Sequence, residues 1–321
     1  MAGLDYYITC FSKLRRDRKA GGAPHKPVLL LSLIDQYEKG LIAGHKVYLS
    51  PDLVGSFKSV WSQLVQSKHH MIFALPFYHM QSEPFWRLVP MPGCAQWIAS
   101  KSSMRSFQNL QTAVDHVEID EPLASLLMNE GSRAVLKAFL LDKYFPHYVD
   151  SLQYPLVDML NRYKEQMVEE SPAVYQKRIK DLSETLDQHE FEEEVYMRSG
   201  IFKREIAKVY KHTCAITGLR IDATITVSMI DACHIVPFAQ SHDDTIGNGI
   251  ALCPTMHRAF DRGLISIDEN YSVLCSPQFT ENGLSHHGIR QFDGKPILLP
   301  ASEKFYPAQE NLAIHRKQFG F

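Results

Sequence analysis

The feature that most constrains this chain is a set of four polar residues within an otherwise apolar, turn-rich stretch, residues 214–268. They recur at intervals of 14, 9 and 4 positions, as His234, Asn248, His257 and Asp261. The interval of 4 places the last two side chains one turn apart on the same face of a helix. Two side chains that can both bind a metal ion therefore share one helix face.

The sequence around these residues predicts a strand, a loop and a helix. Residues 224–237 alternate and are rich in β-branched side chains, which is typical of a strand that delivers His234 near its end. Pro254 and Gly263 suit the start and the end of the short helix that carries the last two residues of the set. A histidine at a strand end, an asparagine in a loop and two metal-binding side chains on a helix together indicate a nuclease site.

The same stretch resembles the HNH endonuclease family, in the branch that carries the motifs CxxTG, AxHIxP, NG and HxxFD. These motifs appear in that order at Cys214–Gly218, Ala232–Pro237, Asn248–Gly249 and His257–Asp261. The resemblance implies a ββα-metal fold, one divalent cation and hydrolysis of a nucleic-acid phosphodiester.

The resemblance also implies roles for individual residues. His234 would be the general base, because neutral imidazole is available near pH 7. Asn248 would fix the strand and so aim this base. His257 is the third candidate catalytic residue, and with Asp261 it would hold the metal ion from the helix.

The position before the base departs from the family pattern. Many members have an aspartate there, whereas this chain has Cys233, and Asp231 lies three residues before His234. Asp231 is a further candidate metal ligand: strict alternation would place it on the face opposite His234, whereas an irregular strand end would bring it to the metal. Oxygen ligands favour Mg²⁺ or Mn²⁺, and the histidine adds affinity for later transition metals.

Length and charge indicate more than one domain. Residues 1–110 hold 13 Lys and Arg against 6 Asp and Glu, residues 111–200 hold 9 against 18, and the rest balances at 12 against 12. A formal net charge of −2 therefore conceals a basic first part that suits phosphates, unless it is ordinary surface charge. We predict a modified-DNA recognition domain (1–150), a helical connector (151–200) and an HNH domain (201–321).

The expected fold class is α+β, with a mainly helical, winged-helix-like first domain and a ββα-metal last domain. Helical spacing of apolar residues predicts helices over 3–19, 27–39, 51–65 and 105–149, with a short strand near 46–49. The segment ALPFYHM (74–80) is predicted to be a rigid apolar loop or strand entry, and PFWRL (84–88) a strand.

Two stretches of the basic domain are distinctive: RRDRK followed by APHKP (15–27), and ALPFYHM followed by EPFWRL (74–88). They resemble the sulfur-recognition domain of phosphorothioate-dependent type IV restriction endonucleases. A sulfur atom in place of a phosphate oxygen is softer and less hydrated, so it suits an apolar cup, while the remaining charge needs cations. The candidate cup residues are Leu75, Pro76, Phe77 and Tyr78, and the other candidate contacts are Arg15, Arg16, Arg18, His25, Lys26 and His79.

Two other functions fit the same sequence. The first domain could accept a flipped modified base on an aromatic platform such as Phe77 or Tyr78, as in a methylcytosine- or hydroxymethylcytosine-dependent nuclease. Alternatively, the chain could be a non-catalytic DNA-binding regulator.

The expected partner is double-stranded, phosphorothioated DNA. A homodimer fits the function, since a one-metal nuclease needs two sites or two visits to break both strands. No apolar run approaches the about 18–20 residues of a membrane span, and no secretory signal is visible. Six cysteines without a CxxC pair suggest a reducing cytosol and no structural zinc. The resemblance to restriction endonucleases implies a prokaryotic cytoplasm.

Overall fold

The fold belongs to the mixed α+β class, which confirms the predicted class. The computed structural model describes residues 3–17, 22–99, 106–146, 159–221, 228–282 and 288–321. Two compact units are present: the first contains Met1–Asn161 and Leu186–Met197, and the second contains Arg162–Thr185 and Arg198–Phe321. The division at residues 150 and 200 stays a prediction.

The first unit is organised around a helix that is buried on all sides. In α2 every residue from Lys26 to Tyr37 is buried, because the run VLLLSLI puts apolar side chains on every face. The helices of this part of the chain are α1 (Leu4–Ser12), α2 (His25–Glu38), α3 (Pro51–Leu64), α4 (Ala74–His79), α5 (Ala95–Ala99), α6 (Phe107–Ala113), α7 (Glu121–Met128) and α8 (Glu130–Tyr144).

A small antiparallel sheet completes the first unit. It consists of β1 (Lys46–Val47), β2 (Trp86–Pro90) and β3 (Val114–Ile119), in the order β1-β3-β2. The strand β3 interrupts the continuous helix that was predicted over 105–149, so that part of the prediction is wrong. Four of its six residues are buried and Ile119 pairs with Trp86, so packing favoured the strand.

The segment ALPFYH also differs from its prediction. It forms the helix α4 and not a loop or strand entry. Pro76 is the third residue of this helix, where a backbone N–H would have no helical partner, so the proline costs little. The carboxylate of Glu193 accepts hydrogen bonds from the backbone N–H groups of Phe73 (2.7 Å) and Ala74 (3.2 Å), which satisfies two of the free donors at this helix start.

Of the residues predicted as a helical connector, 151–158 lie outside the described part of the chain, and the described ones contain three helices, the last of which continues to Val209. These helices are α9 (Met159–Glu169), α10 (Pro172–Thr185) and α11 (Gln188–Val209). The remaining elements are β4 (Asp231–His234), α12 (Phe238–Ser241), β5 (Gly249–Leu252), α13 (Pro254–Asp261), β6 (Ile265–Ile267), β7 (Val273–Cys275) and α14 (Gln309–Phe319).

A ββα arrangement lies at the centre of the second unit. The strands β4 and β5 pair antiparallel, with His234 opposite Gly249, and α13 follows β5 directly. The strand predicted over 224–237 is limited to β4 among the described residues, and residues 222–227 lie outside them. A Cβ atom on Gly249 would lie 2.2 Å from Cδ1 of Ile206, so only glycine allows α11 to pack this closely on β5.

None of the helices in the described part of the chain is long and apolar enough to cross a membrane.

Candidate active site

His234 is the last residue of β4, and two neighbours fix its ring. The imidazole stacks face to face on Phe202 of α11, with ring centroids 4.0 Å apart and an interplanar angle of 7°. Its Nε2 atom lies 2.8 Å from Oδ1 of Asp244, a carboxylate that is 1% exposed. The ring is therefore oriented before any substrate binds.

Asn248 is completely buried, and its side-chain amide forms hydrogen bonds with backbone groups of the same domain. Its Nδ2 group donates to the backbone carbonyls of Val236 and Asp243, both at 2.9 Å, and its Oδ1 atom accepts from the Val236 N–H at 2.9 Å. These bonds tie the chain just after His234 to the loop before β5. The amide thus has the geometry of a positioning residue rather than of a metal ligand.

The two predicted side chains of α13 lie together. Nε2 of His257 is 3.4 Å from Oδ2 of Asp261, and Nδ1 of the same ring is 3.2 Å from Oδ2 of Asp231. The two carboxylates therefore face different ring nitrogens. Strand alternation turns Asp231 and Cys233 towards α13, while His234 faces Asp244.

The donor atoms at this position fit a divalent cation. The ligand atoms of Cys233, His257 and Asp261 lie within 4.8 Å of one another. Burial, and next the nearby Asp261 carboxylate, raise the pKa of the Cys233 thiol well above its usual range, so the thiol keeps its proton. A carboxylate and an imidazole on one helix face thus remain as the ready ligands, and Asp231 can orient the second nitrogen of the imidazole.

A cleft of about 510 Å³ opens beside these residues. Its lining consists of Ser199, Lys203, Ala232, His234, Ile235, Pro237, Phe238, His257, Asp261, His315, Gln318 and Phe319. The predicted base and the predicted helix-borne ligands therefore share one cavity. Among the described lining residues, Lys203 is an exposed cation that the sequence did not single out.

His315 also lines the cleft, but its contacts are those of a packing residue. It is 3% exposed and stacks on Phe260, with ring centroids 3.7 Å apart. Burial lowers its pKa to about 4, so the ring is neutral at pH 7. Its two nitrogens lie within hydrogen-bonding distance of the Phe260 carbonyl and the Ser266 hydroxyl, so it has no proton-transfer role in this arrangement.

A comparison with known families decides the class of the site. Residues 214–268 match the family model HNH_2, described as HNH endonuclease. This part of the chain is an HNH endonuclease domain. The family that this domain matches consists of endonucleases, and HNH nucleases generally use a divalent metal ion.

Two solved structures are similar to this chain at a low level. One is described as a modification-dependent TagI restriction endonuclease (20% identity, TM-score 0.30); the match covers 37% of this chain and 38% of that one. The other is the type IV phosphorothioation-dependent restriction endonuclease ScoMcrA (12% identity, TM-score 0.32), with 79% of this chain and 94% of that one covered. At these TM-scores neither likeness supports a functional assignment. Among curated proteins, none matches the sequence.

Sequence reasoning missed the acidic partner of His234 in the HNH domain. Asp243 and Asp244 form a pair of acids nine and ten residues after the histidine, in the loop before β5, and they were not singled out from the sequence. Both are 1% exposed. Two adjacent acids between an apolar strand and the NG motif were the available signal.

Seven of the ten predicted recognition residues line one cleft of the first unit, of about 720 Å³. Its lining consists of Arg15, Arg16, Asp17, Ala23, His25, Lys26, His69, Ile72, Leu75, Pro76, His79, Ser82 and His189. Two distant stretches of sequence therefore meet, with aliphatic side chains from one and cations from the other. Arg18 lies outside the described residues.

Phe77 and Tyr78 do not line this cleft. The helix α4 turns them inwards, where Phe77 packs edge-on against Trp86 and the Tyr78 hydroxyl donates to the Ile98 carbonyl at 2.6 Å. Leu75 and His79, one turn apart, share the face towards the cleft. The apolar surface is thus aliphatic rather than aromatic among the described lining residues.

The basic side chains of the first-unit cleft differ in whether their charge is available to a bound anion. Lys26 is 6% exposed and forms a buried ion pair with Glu83, so its charge is neutralised within the protein. Burial lowers the pKa of His25, and its Nε2 lies 2.8 Å from the His70 carbonyl, so the ring is neutral at pH 7. Arg15 is exposed, and its guanidinium forms no ion pair among the described residues.

Proposed function

We propose that this nuclease is a modification-dependent restriction endonuclease that recognises phosphorothioated double-stranded DNA through the first-unit cleft. The observation that carries this proposal is the convergence of an aliphatic wall, from Ile72, Leu75 and Pro76, with the guanidinium groups of Arg15 and Arg16. A phosphorothioate group combines a soft, weakly hydrated sulfur with a negative charge, and this cleft offers both kinds of partner.

The composition of the cleft favours sulfur over a flipped base. A flipped base is usually held by stacking between aromatic or apolar side chains. The described lining residues include no Phe, Tyr or Trp, and the two aromatic residues proposed as a platform are buried in the core. The aliphatic wall therefore supports the phosphorothioate proposal rather than the modified-base alternative.

For the chemistry, we propose that His234 removes a proton from the attacking water. A neutral imidazole fixed by stacking is suited to this step. His257 and Asp261 would hold a divalent ion, which when bound supplies Lewis-acid stabilisation of negative charge on phosphorus and on the leaving oxygen. Lys203 would contribute a further positive charge at the edge of the cleft. The histidine ligand favours Mn²⁺ and later metals more than an all-oxygen site would.

We further propose that the enzyme acts as a homodimer in a prokaryotic, cytoplasmic restriction system. Each HNH domain has one such site among its described residues, so breaking both strands requires two copies or two successive cuts.

Plasmid cleavage tests the proposed function directly. With Mg²⁺ or Mn²⁺, we expect the full-length protein to cut phosphorothioated plasmid and to leave unmodified and cytosine-methylated plasmids of the same sequence intact. Cleavage of the methylated plasmid alone would reject the sulfur assignment in favour of a modified base. Tight binding without cleavage of any plasmid would instead indicate a regulator.

Two variants of the first-unit cleft separate sulfur recognition from general phosphate contact. Leu75→Ser should lower the ratio of affinities for phosphorothioated over unmodified duplex by about three- to tenfold, because it removes apolar contact area from the sulfur. Arg15→Ala is the matched control: it should weaken binding to both duplexes alike and reduce the slope of log affinity against log salt by about one. Equal losses for both duplexes with Leu75→Ser would make that residue a packing contact only.

A further inference from the structure

A buried polar array lies behind His234 in the second unit. Oδ1 of Asp244 lies 2.8 Å from Nε2 of His234, and Oδ2 accepts from the Tyr175 hydroxyl at 3.4 Å. The Tyr175 oxygen accepts in turn from Nη1 of Arg198 at 3.2 Å. Asp244, Tyr175 and Arg198 are at most 2% exposed, so water does not substitute for these contacts.

We propose that Asp244 is a positioning residue that keeps the proton of neutral His234 on Nε2, and that Tyr175 and Arg198 hold Asp244 as a hydrogen-bond acceptor. The inference rests on the proposed function, in which His234 is the general base. A fixed Nε2 proton leaves Nδ1 as the basic nitrogen, and His234 lines the active-site cleft. The array would thus select the base-competent atom of the ring.

The donor and acceptor roles in the array follow from chemistry. A guanidinium has donors but no acceptor, so Arg198 must donate to the Tyr175 oxygen. The single hydroxyl proton of Tyr175 is then directed to Asp244. Burial raises the pKa of Tyr175, so this phenol keeps its proton. An ionised carboxylate can only accept, which requires His234 to donate from Nε2.

The guanidinium of Arg198 is itself held in place. Its carbon lies 4.2 Å above the centre of the Tyr163 ring and 5.5 Å from that of Tyr175. These cation–π contacts give a buried cation a favourable environment and fix the position from which it donates. The orientation of the Tyr175 hydroxyl is therefore determined from both sides.

The variant Asp244→Asn tests the array through the ring itself. The amide introduced by this substitution has one oxygen, which should accept the hydrogen bond from the Tyr175 hydroxyl. Its NH₂ group should therefore turn towards His234 and donate to Nε2. The proton should then move to Nδ1, and kcat should fall about a hundredfold or more with KM and DNA affinity within about twofold. Imidazole ¹⁵N shifts of the full-length, ¹⁵N-histidine-labelled protein, assigned with His234→Ala, report the proton position.

A second substitution separates positioning from simple structural support. Adding Tyr175→Phe to Asp244→Asn frees the amide to rotate, so its oxygen can face His234 again. We expect the Nε2 proton to return and kcat to recover in part. A purely structural role predicts the opposite, with the double variant less active than Asp244→Asn alone.

Asp243→Asn is the matched control, since Asp243 is equally buried but its carboxylate accepts from the Thr245 N–H. The amide oxygen can keep that bond, so the proton of the neutral His234 ring should stay on Nε2. A wild-type ring protonated on Nδ1, or an Asp244→Asn variant with unchanged ring shifts and kcat, would overturn the inference. The ring measurement does not need cleavage, so failure of wild-type cleavage rejects the proposed function while the array is still tested.

Discussion

Replacing His234 with alanine should lower the cleavage rate of phosphorothioated DNA by about a thousandfold or more while leaving DNA affinity unchanged. The proposed base is the only group lost, and general-base catalysis commonly contributes about 10²–10⁴ in rate. The domain should still fold, because the ring is partly exposed at the cleft and lies at the end of β4. It should lose about 1–3 kcal/mol of stability, because the buried Asp244 carboxylate loses its contact with the ring. Single-turnover cleavage and a gel-shift titration measure the two quantities.

His242→Asn provides a histidine control from the same unit. His242 is exposed, and its backbone is in the left-handed region at φ 51°, which asparagine tolerates. This variant should cleave at the wild-type rate. If His234→Ala retains cleavage, another group must activate the water.

The second large effect is expected on stability. Asn248→Ala removes three buried hydrogen bonds to the backbone of residues 236 and 243. Each backbone group left unpaired in the core costs about 1–3 kcal/mol, so we expect a loss of roughly 3–5 kcal/mol. Cleavage should fall as well, since the strand end that carries His234 is no longer tied to the loop before β5.

The distribution of tryptophans gives this experiment an internal control. Trp61, Trp86 and Trp97 all belong to the first unit, so tryptophan fluorescence follows that unit. Calorimetry should show an unfolding transition whose midpoint temperature is lowered by Asn248→Ala. The midpoint temperature of the transition that tryptophan fluorescence reports should stay closer to that of the wild type. If neither transition moves, the three bonds do not stabilise the domain.

The HNH site was the most predictable part of the molecule from sequence. Its four polar residues occur within one short segment, so a strand, a loop and a helix suffice to bring them together. Alternation along β4 also anticipated that Asp231 and His234 face opposite ways. The sequence did not indicate that His257 would contact Asp231 through Nδ1 and Asp261 through Nε2. Those contacts depend on how α13 packs against β4.

The environment of His234 was not predictable for a different reason. Tyr175 and Asp244 are separated by 69 residues, and Phe202 lies on another helix. Nothing in the local pattern pairs such residues, since only tertiary packing decides which of many buried aromatic and acidic side chains meet. The acidic pair was therefore not singled out in the sequence.

In the first unit, the positions of the motifs predicted which stretches of sequence line the cleft, but they did not predict which side chains face it. Treating ALPFYHM as a loop left Phe77 and Tyr78 free to face a ligand, whereas the helix α4 turns both into the core. The helical period then selects Leu75 and His79 for the cleft. One error in secondary structure thus added two aromatic residues to an expected wall of which Leu75 and Pro76 line the cleft.

The pairing of Lys26 with Glu83 has a consequence for ionic strength. The basic excess of residues 1–110 suggests that many counterions would leave the DNA on binding. In the first-unit cleft, however, Lys26 is neutralised and His25 is uncharged at pH 7. Arg15 and Arg16 carry its remaining positive charge and Asp17 adds a negative one, so the cleft itself accounts for the release of at most about two ions. If the proposed recognition takes place in this cleft, it should depend on shape and polarisability more than the composition of the chain would indicate.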